Sequence, residues 1–318
     1  MKRRGGRTRG QLGSGPPGRP MGQLKLRDAQ ASDKRAVCRF TRRTWGEHGD
    51  FIASVWNDWL ADRSGRFIVA ELDGAPVGIA KINYFGDGEY WLEGLRVAPE
   101  HRGKGIARAI NQEIRASLAR MRPRAVRYCT GYRNLASRHI GSVFGFKVGA
   151  RFRHFWMKSR KGPIQGEFAR KRDTDEILAF MKRSRFLRLS SGLVAEGWIF
   201  RELTRSLLEA YIRKRSVVVL RRGGKLAGVA VYPYDPSDKD LNMGFIDGEP
   251  AAIKALAANC PRIGAMRGTE YCSMSVPTRH FARLMAAAGF KRESSMGQLV
   301  FELADPRSLT ASRRGRLR

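Results

Sequence analysis

Two periods divide the chain. In short runs apolar residues alternate with polar ones, as a strand needs, and in longer runs they recur every three or four positions, as a helix needs. Tyr90–Val97 reads as a strand with apolar residues and Glu93 on one period-2 face, and Pro99 ends it for want of an N–H. Ile106, Ile110, Ile114 and Leu118 fall at helical spacing, so a helix begins inside the glycine turn Arg102–Ala107. Upstream, Leu24–Arg27 reads as a strand. Ser32 caps a helix to about Arg43, and a second helix covers Phe51–Ala61. Arg66–Leu72 and Val77–Tyr84 form a hairpin through Asp73-Gly74. Pro123 stops the central helix; Ala125–Thr130 is a strand, Asn134 opens a helix, and a strand runs from Phe146 to Trp156.

Strand, glycine-rich turn and helix N-terminus make an anion site. Backbone N–H groups face the ligand, and the helix dipole adds about half a positive charge. Gly103 and Gly105 permit close approach or positive φ, and Arg102 and Lys104 add full charges. The spacing is not that of a P-loop, and Gly-x-Gly-x-x-Gly is absent, so the turn points to a phosphate-rich ligand other than ATP or a dinucleotide.

Arg102-Gly103-Lys104-Gly105-Ile106-Ala107 has the form Arg-x-x-Gly-x-Ala, preceded by Leu95-Arg96-Val97-Ala98-Pro99-Glu100. Asn134 is followed by Gly145-Phe146 eleven and twelve residues on. In both motifs and their order the chain resembles the GCN5-related N-acetyltransferases (GNAT). The resemblance implies acetyl-CoA as cosubstrate, its pyrophosphate on Arg102, Gly103, Lys104, Gly105, Ile106 and Ala107, with Leu95, Arg96, Val97 and Asn134 as further contacts. It implies direct acetyl transfer to an amine of a small molecule, an amino acid or a protein N-terminus. Trp91–Val97 is similar to the strand of acetyltransferases of free amino acids, including the histidine type. The family's helix-to-helix segment borders the acceptor, which here offers Trp45, Glu47, His48 and Asp50. Glu93 is the expected base, because a carboxylate pressed among apolar neighbours has a raised pKa. The family often places a tyrosine acid seven residues after the Asn; that position is Gly141, leaving Tyr128, Tyr132, Ser137 or water to serve the leaving thiolate.

The plan recurs. Arg66–Val69 and Gly78-Ile79-Ala80 match Ser216–Val219 and Gly228-Val229-Ala230 at an offset of 150, while Gly145-Phe146 matches Gly289-Phe290 at 144. The missing residues fall about where Pro99–Lys104 lies, and Thr278 stands for Asn134. The expected architecture is α/β (α+β): two tandem GNAT-like domains, each a mixed, mostly antiparallel sheet flanked by helices. Residues 23–160 form the catalytic domain and 163–305 a degenerate copy without a pyrophosphate cradle. Basic tails at 1–22 and 306–318 are expected to be disordered.

At 318 residues, 42% of them hydrophobic, the chain is long enough for two packed domains. Its four cysteines show no framework or C-x-x-C pair, and no run approaches a membrane span, so a reducing cytoplasmic setting is the expectation. His101, His139, His154 and His280 have no cysteine or carboxylate at ligand spacing, and no metal is expected. The net charge of +32 changes the picture more. Eleven basic residues lie in the tails, which leaves +21 elsewhere, more than coenzyme A requires. A nucleic acid or other polyanion is therefore a possible partner, and an RNA- or ribosome-associated binder that keeps the fold with little turnover is the rival reading.

Overall fold

The computed structural model describes residues 22–42, 44, 49–236, 240–307 and 309, with backbone alone at 294–296. Nearly all of both basic tails lies outside these residues.

The first half runs β1 (Leu24–Asp28), α1 (Lys34–Thr41), α2 (Ile52–Ala61), β2 (Arg66–Leu72), β3 (Ala75–Tyr84), β4 (Glu89–Val97), α3 (Ile106–Met121), β5 (Ala125–Gly131), α4 (Leu135–Val143) and β6 (Phe146–Lys158). A 3-10 turn, Ala31–Asp33, precedes α1. Ser32 is not the cap. The Asp33 carboxylate accepts the Gln30 N–H at 2.8 Å and is itself gripped by Arg27 at 2.7 and 2.8 Å, a charged acceptor that outcompetes a hydroxyl. Asp73 and Gly74 have φ of 50° and 81°, the two positive values of a type I′ hairpin turn.

The second half runs β7 (Glu167–Phe168), α5 (Thr174–Arg183), α6 (Arg185–Leu189), β8 (Leu193–Glu196), β9 (Ile199–Glu202), α7 (Arg205–Arg213), β10 (Val217–Arg222), β11 (Lys225–Val231), β12 (Asp240–Met243), β13 (Phe245–Gly248), α8 (Pro250–Met266), β14 (Tyr271–Val276), α9 (Arg279–Ala287) and β15 (Lys291–Leu303). Its β10–β11 turn repeats the first hairpin with positive φ at Gly223 and Gly224.

Among the described residues the large sheet has the order β1-β2-β3-β4-β5-β15-β6-β14-β12, and a second sheet the order β13-β11-β10-β7. The last strand of each half is built into the other's sheet. β15 lies antiparallel to β5, and β6 lies antiparallel to β14, while the two pair with each other in the middle. One face of the large sheet holds Ile68, Ala80, Ile82, Leu92 and Val126 against α3. The other packs Phe67, Val69 and Ile79 under α1 and α2, and further along packs Trp91, Phe152 and Val300 under the β8–β9 hairpin.

β4 and β5 are parallel but pair only over Glu89–Trp91 and Ala125–Arg127. Buried Arg127 ties this short contact, meeting Glu89 at 2.7 Å and Glu302 at 3.1 Å. Beyond Trp91 the strands part into a V. In the second half, Phe186, Phe245 and Phe281 pack together at the corresponding place, with centroids 5.0 and 5.3 Å apart.

Candidate active site

β4 leads through a 3-10 turn, Pro99–His101, to Gly103 and Gly105, whose φ values are 75° and 80°. A Cβ at either would meet nothing within 4 Å, so the glycines serve backbone conformation and leave open approach from outside. Gly105 is the N-cap of α3, and the first backbone bond there is Ala109 N–H to the Gly105 carbonyl. Among the described residues, the N–H groups of Gly103 through Arg108 have no acceptor. Six free amides at a helix start, with exposed Arg102 and Lys104 beside them, make an anion cradle. Arg102 Nε donates to the Val97 carbonyl at 3.3 Å, while Ile106 anchors the turn in the core.

Val97 leads into this turn along one arm of the V. Ala98 N–H bonds to the Val77 carbonyl on β3, and alternation along a strand turns the Val97 and Leu95 N–H groups the other way, into the V. Gly94, φ 68°, forms a bulge that shifts the β3–β4 register by one between Ile79 and Lys81. The uniform period-2 face read from the sequence therefore breaks at Gly94. Glu93 keeps Trp91's face, while Leu95 and Val97 pack toward α3. A Cβ at Gly94 would come within 2.4 Å of Trp59, so α2 sits directly on the bulge.

Glu93 accepts from Asn83 Nδ2 at 2.6 Å and pairs across the strands with Lys81. Burial raises its pKa above the ordinary carboxylate value, against the opposing effects of the Asn83 bond and the charges of Lys81 and Arg96. Lys81 is 0% exposed and bonded to Asp62. Arg96 is held by Asp50 at 2.8 Å, and that carboxylate is 1% exposed, so Asp50 is engaged within the fold rather than offered to a ligand. Trp45, Glu47 and His48 lie outside the described residues.

Tyr128 stands on the opposite face from Glu93, stacked on Phe301 at 4.9 Å, with its hydroxyl donating to the Ser137 carbonyl at 3.2 Å. A Cβ at Gly141 would fall 1.8 Å from that hydroxyl, so Tyr128 fills the space a side chain at 141 would need. Burial raises the Tyr128 pKa, keeping the phenol protonated at neutral pH. The Asn134 side chain caps α4, accepting the Ser137 N–H at 3.2 Å. Tyr132 is exposed and lies against Gly297. Cys129 shares Glu93's face, but burial pushes its thiol up, which leaves it a poor nucleophile.

Residues 31–146, which carry the V, the cradle and Glu93, match the model of the acetyltransferase (GNAT) family. This part of the chain belongs to that family. The histidine N-acetyltransferase of Oreochromis niloticus is 35% identical over 81 residues, 25% of this chain and 24% of the relative. The chain thus matches about a quarter of that relative's length. A GCN5-related N-acetyltransferase from Sphaerobacter thermophilus superposes with a TM-score of 0.62 at 14% identity, covering 88% of this chain and 95% of that one. A tandem GNAT protein from the clavulanic acid biosynthesis pathway does so at 0.56 and 15%, covering 89% and 99%. These likenesses extend the fold across both halves.

The GNAT site contains side chains that pattern reading passed over. Lys81 and Asn83 read as the polar positions of an alternating strand, yet they line Glu93, and Asp62 arrives from the end of α2. An Asp, a Lys and a Glu scattered over 62–93 carry no spacing signal, because a cross-strand register brings them together.

Proposed function

We propose that the chain is an acetyl-CoA-dependent N-acetyltransferase whose first half, 23–160, carries the reaction, with 163–305 a degenerate copy. The observation that carries this reading is the run of six unpartnered amides, Gly103–Arg108, at the end of a splayed strand that also bears a buried carboxylate. The cradle fits a pyrophosphate by its free donors, its open glycines and its two exposed cations. The inward N–H groups of Leu95 and Val97 suit a pantetheine arm and a developing oxyanion. Acetyl-CoA supplies the thioester to be attacked.

Glu93, directly or through water, takes the proton an ammonium acceptor must lose; its raised pKa makes it a stronger base than a solvated carboxylate. Tyr128 is the donor for the departing sulfur. Its pKa exceeds that of a thiol, so its single O–H, turned from the Ser137 carbonyl to the sulfur, would stabilise the thiolate by a hydrogen bond without ionising. The acceptor is an amine, and because the relative is named a histidine N-acetyltransferase, free amino acids are the first to test.

Two features support the second half's lack of this chemistry. β13 enters α8 almost directly, with Glu249 at the N-cap and Pro250 next, a charge and a missing N–H that disfavour an anion. Phe186, Phe245 and Phe281 fill the corresponding cleft. The test is thiol release from acetyl-CoA with a panel of amines, alongside calorimetry. Wild type should bind and turn over, and Gly105→Glu should lose both by at least 100-fold. Absence of wild-type affinity for acetyl-CoA would refute the transferase. A second reading, a polyanion-binding protein, draws on the exposed Lys182, Arg183, Arg185 and Arg188 of the second half. Retention on RNA above about 0.5 M salt without any turnover would favour it.

A further inference from the structure

We infer that Trp198, on the tip of the second half's β8–β9 hairpin, forms a wall of the first half's acceptor pocket and stacks on a planar side chain of the acceptor, an imidazole or aromatic ring. The inference rests on the transferase reading and adds the substrate class.

β8 and β9 form a separate two-stranded sheet laid on the face of the large sheet that carries Glu93. β9 tracks β4. The Glu202 N–H bonds to Glu89 Oε1 at 3.1 Å, and the Phe200 ring lies 6.4 Å from Trp91. Each step along both strands is two residues, about 6.6 Å. Extending that series by one step carries Trp198, in the turn before β9, toward the Glu93 end of the V. The far end of the indole reaches the other arm: a Cβ built on Gly131, the last residue of β5, would stand 4.0 Å from Trp198 Cη2. Trp91 faces Arg127, so Glu93 stands level with Cys129, and Trp198 reaches the second arm of the V about one side-chain step beyond Glu93, toward its mouth.

The tip is held in place. Gln298, 0% exposed, donates to the Gly197 carbonyl at 3.1 Å and accepts from Ser275 through its other atom. Phe200, two residues away, is 0% exposed and spent on packing, whereas Trp198 is 43% exposed. A large aromatic fixed in position with a free face is shaped for a ligand rather than for the core. Phe51, 42% exposed and beneath the Arg96 guanidinium at 5.5 Å, is a second exposed ring at the start of α2. An acceptor whose amine approaches Glu93 would set its side chain against the indole, whose broad π face favours flat rings over short aliphatic chains.

The experiment compares Trp198→Ala and Trp198→Phe with wild type on amino acids bearing ring side chains and on small aliphatic ones, with 19F NMR of protein containing 5-fluorotryptophan. In Trp198→Ala the KM for ring-bearing acceptors should rise roughly tenfold. The KM for small acceptors, the KM for acetyl-CoA, kcat and the thermal midpoint should stay put, and Trp198→Phe should restore most of the loss. The resonance missing in Trp198→Phe should move when a ring-bearing amine is added to the protein saturated with coenzyme A. Turnover that proceeds with an unmoved resonance and unchanged KM values overturns this inference and leaves the transferase reading standing. A uniform KM rise accompanied by a lower midpoint also overturns it, because the tip would then be structural. Failure of wild type to bind acetyl-CoA takes both readings down.

Discussion

Lys81 and Asp62 allow a test of the floor beneath Glu93. The ammonium is 0% exposed, and the Asp62 carboxylate is about a quarter exposed. Burial alone would raise the Asp62 pKa, but the bonds from Lys81 and Ser64 more than offset this and lower it from 3.8 to about 2. At about 1.4 kcal/mol per pKa unit the pairing is worth at most about 2.4 kcal/mol, and solvent screening of the exposed part brings that to about 1–2 kcal/mol. A depressed carboxylate pKa stabilises the fold above the unfolded value of 3.8, and that stability is lost as pH falls through about 2. Asp62→Asn should therefore cost about 1–2 kcal/mol in urea unfolding at neutral pH. Near pH 3 the cost should be roughly half as large. Lys81→Met in the Asp62→Asn background should recover much of the loss, since a buried pair replaced by neutral groups is often tolerated. An Asp62→Asn midpoint equal to wild type, or a deficit that does not shrink toward acid, would refute the pairing energetics.

Three further outcomes bear on the chemistry. Glu93→Gln should lower kcat by about 10²–10⁴ with acetyl-CoA binding intact. In wild type the acid limb of kcat/KM should lie above the ordinary carboxylate range, since the base is lost as pH drops through a pKa raised by burial; Lys81→Met, which removes a charge that lowers it, should move the limb higher still. Gly141→Ala should destabilise by about 1–3 kcal/mol, because its methyl would overlap the Tyr128 hydroxyl, and the double change with Tyr128→Phe should relieve part of that loss in thermal melts.

The glycine turn was legible because its signals are local. Glycines at positive φ, a proline after a strand and isoleucines at helical spacing each constrain their own neighbourhood, and Gly103, Gly105 and Ile106–Leu118 stand as the pattern requires. Hairpins at Asp73-Gly74 and Gly223-Gly224 were legible for the same reason. The face of Glu93 was half legible. Alternation placed it beside Trp91, but the bulge at Gly94 exists because Trp59, 35 residues earlier in the chain, fills the space a side chain would occupy. The Ser32 cap failed because a competing carboxylate at Asp33 was anchored by Arg27 on a different element. Lys81 had no signal of its own, because a lysine in an alternating strand does not announce that Asp62 closes over it.

What stayed hidden were relations between the halves. A repeat offset reports that two segments share a plan, and it carries no information on which sheet each segment joins. β6 and β15 are the last strands of successive copies, and either could in principle have paired within its own half. Their exchange puts Gln298 beside Gly131 and under the tip of β8–β9, so the residue that fixes Trp198 comes from the end of the chain and the hairpin from its middle. The second half, on the proposed reading a degenerate copy, supplies the strand that completes the sheet holding the V. Because the two halves share one sheet, cutting the chain near 160 would strip β5 of its partner β15 and remove the hairpin over Trp91. Loss of the second half would thus be felt first as loss of the site's geometry, which is a physical reason for retaining it whatever chemistry it carries.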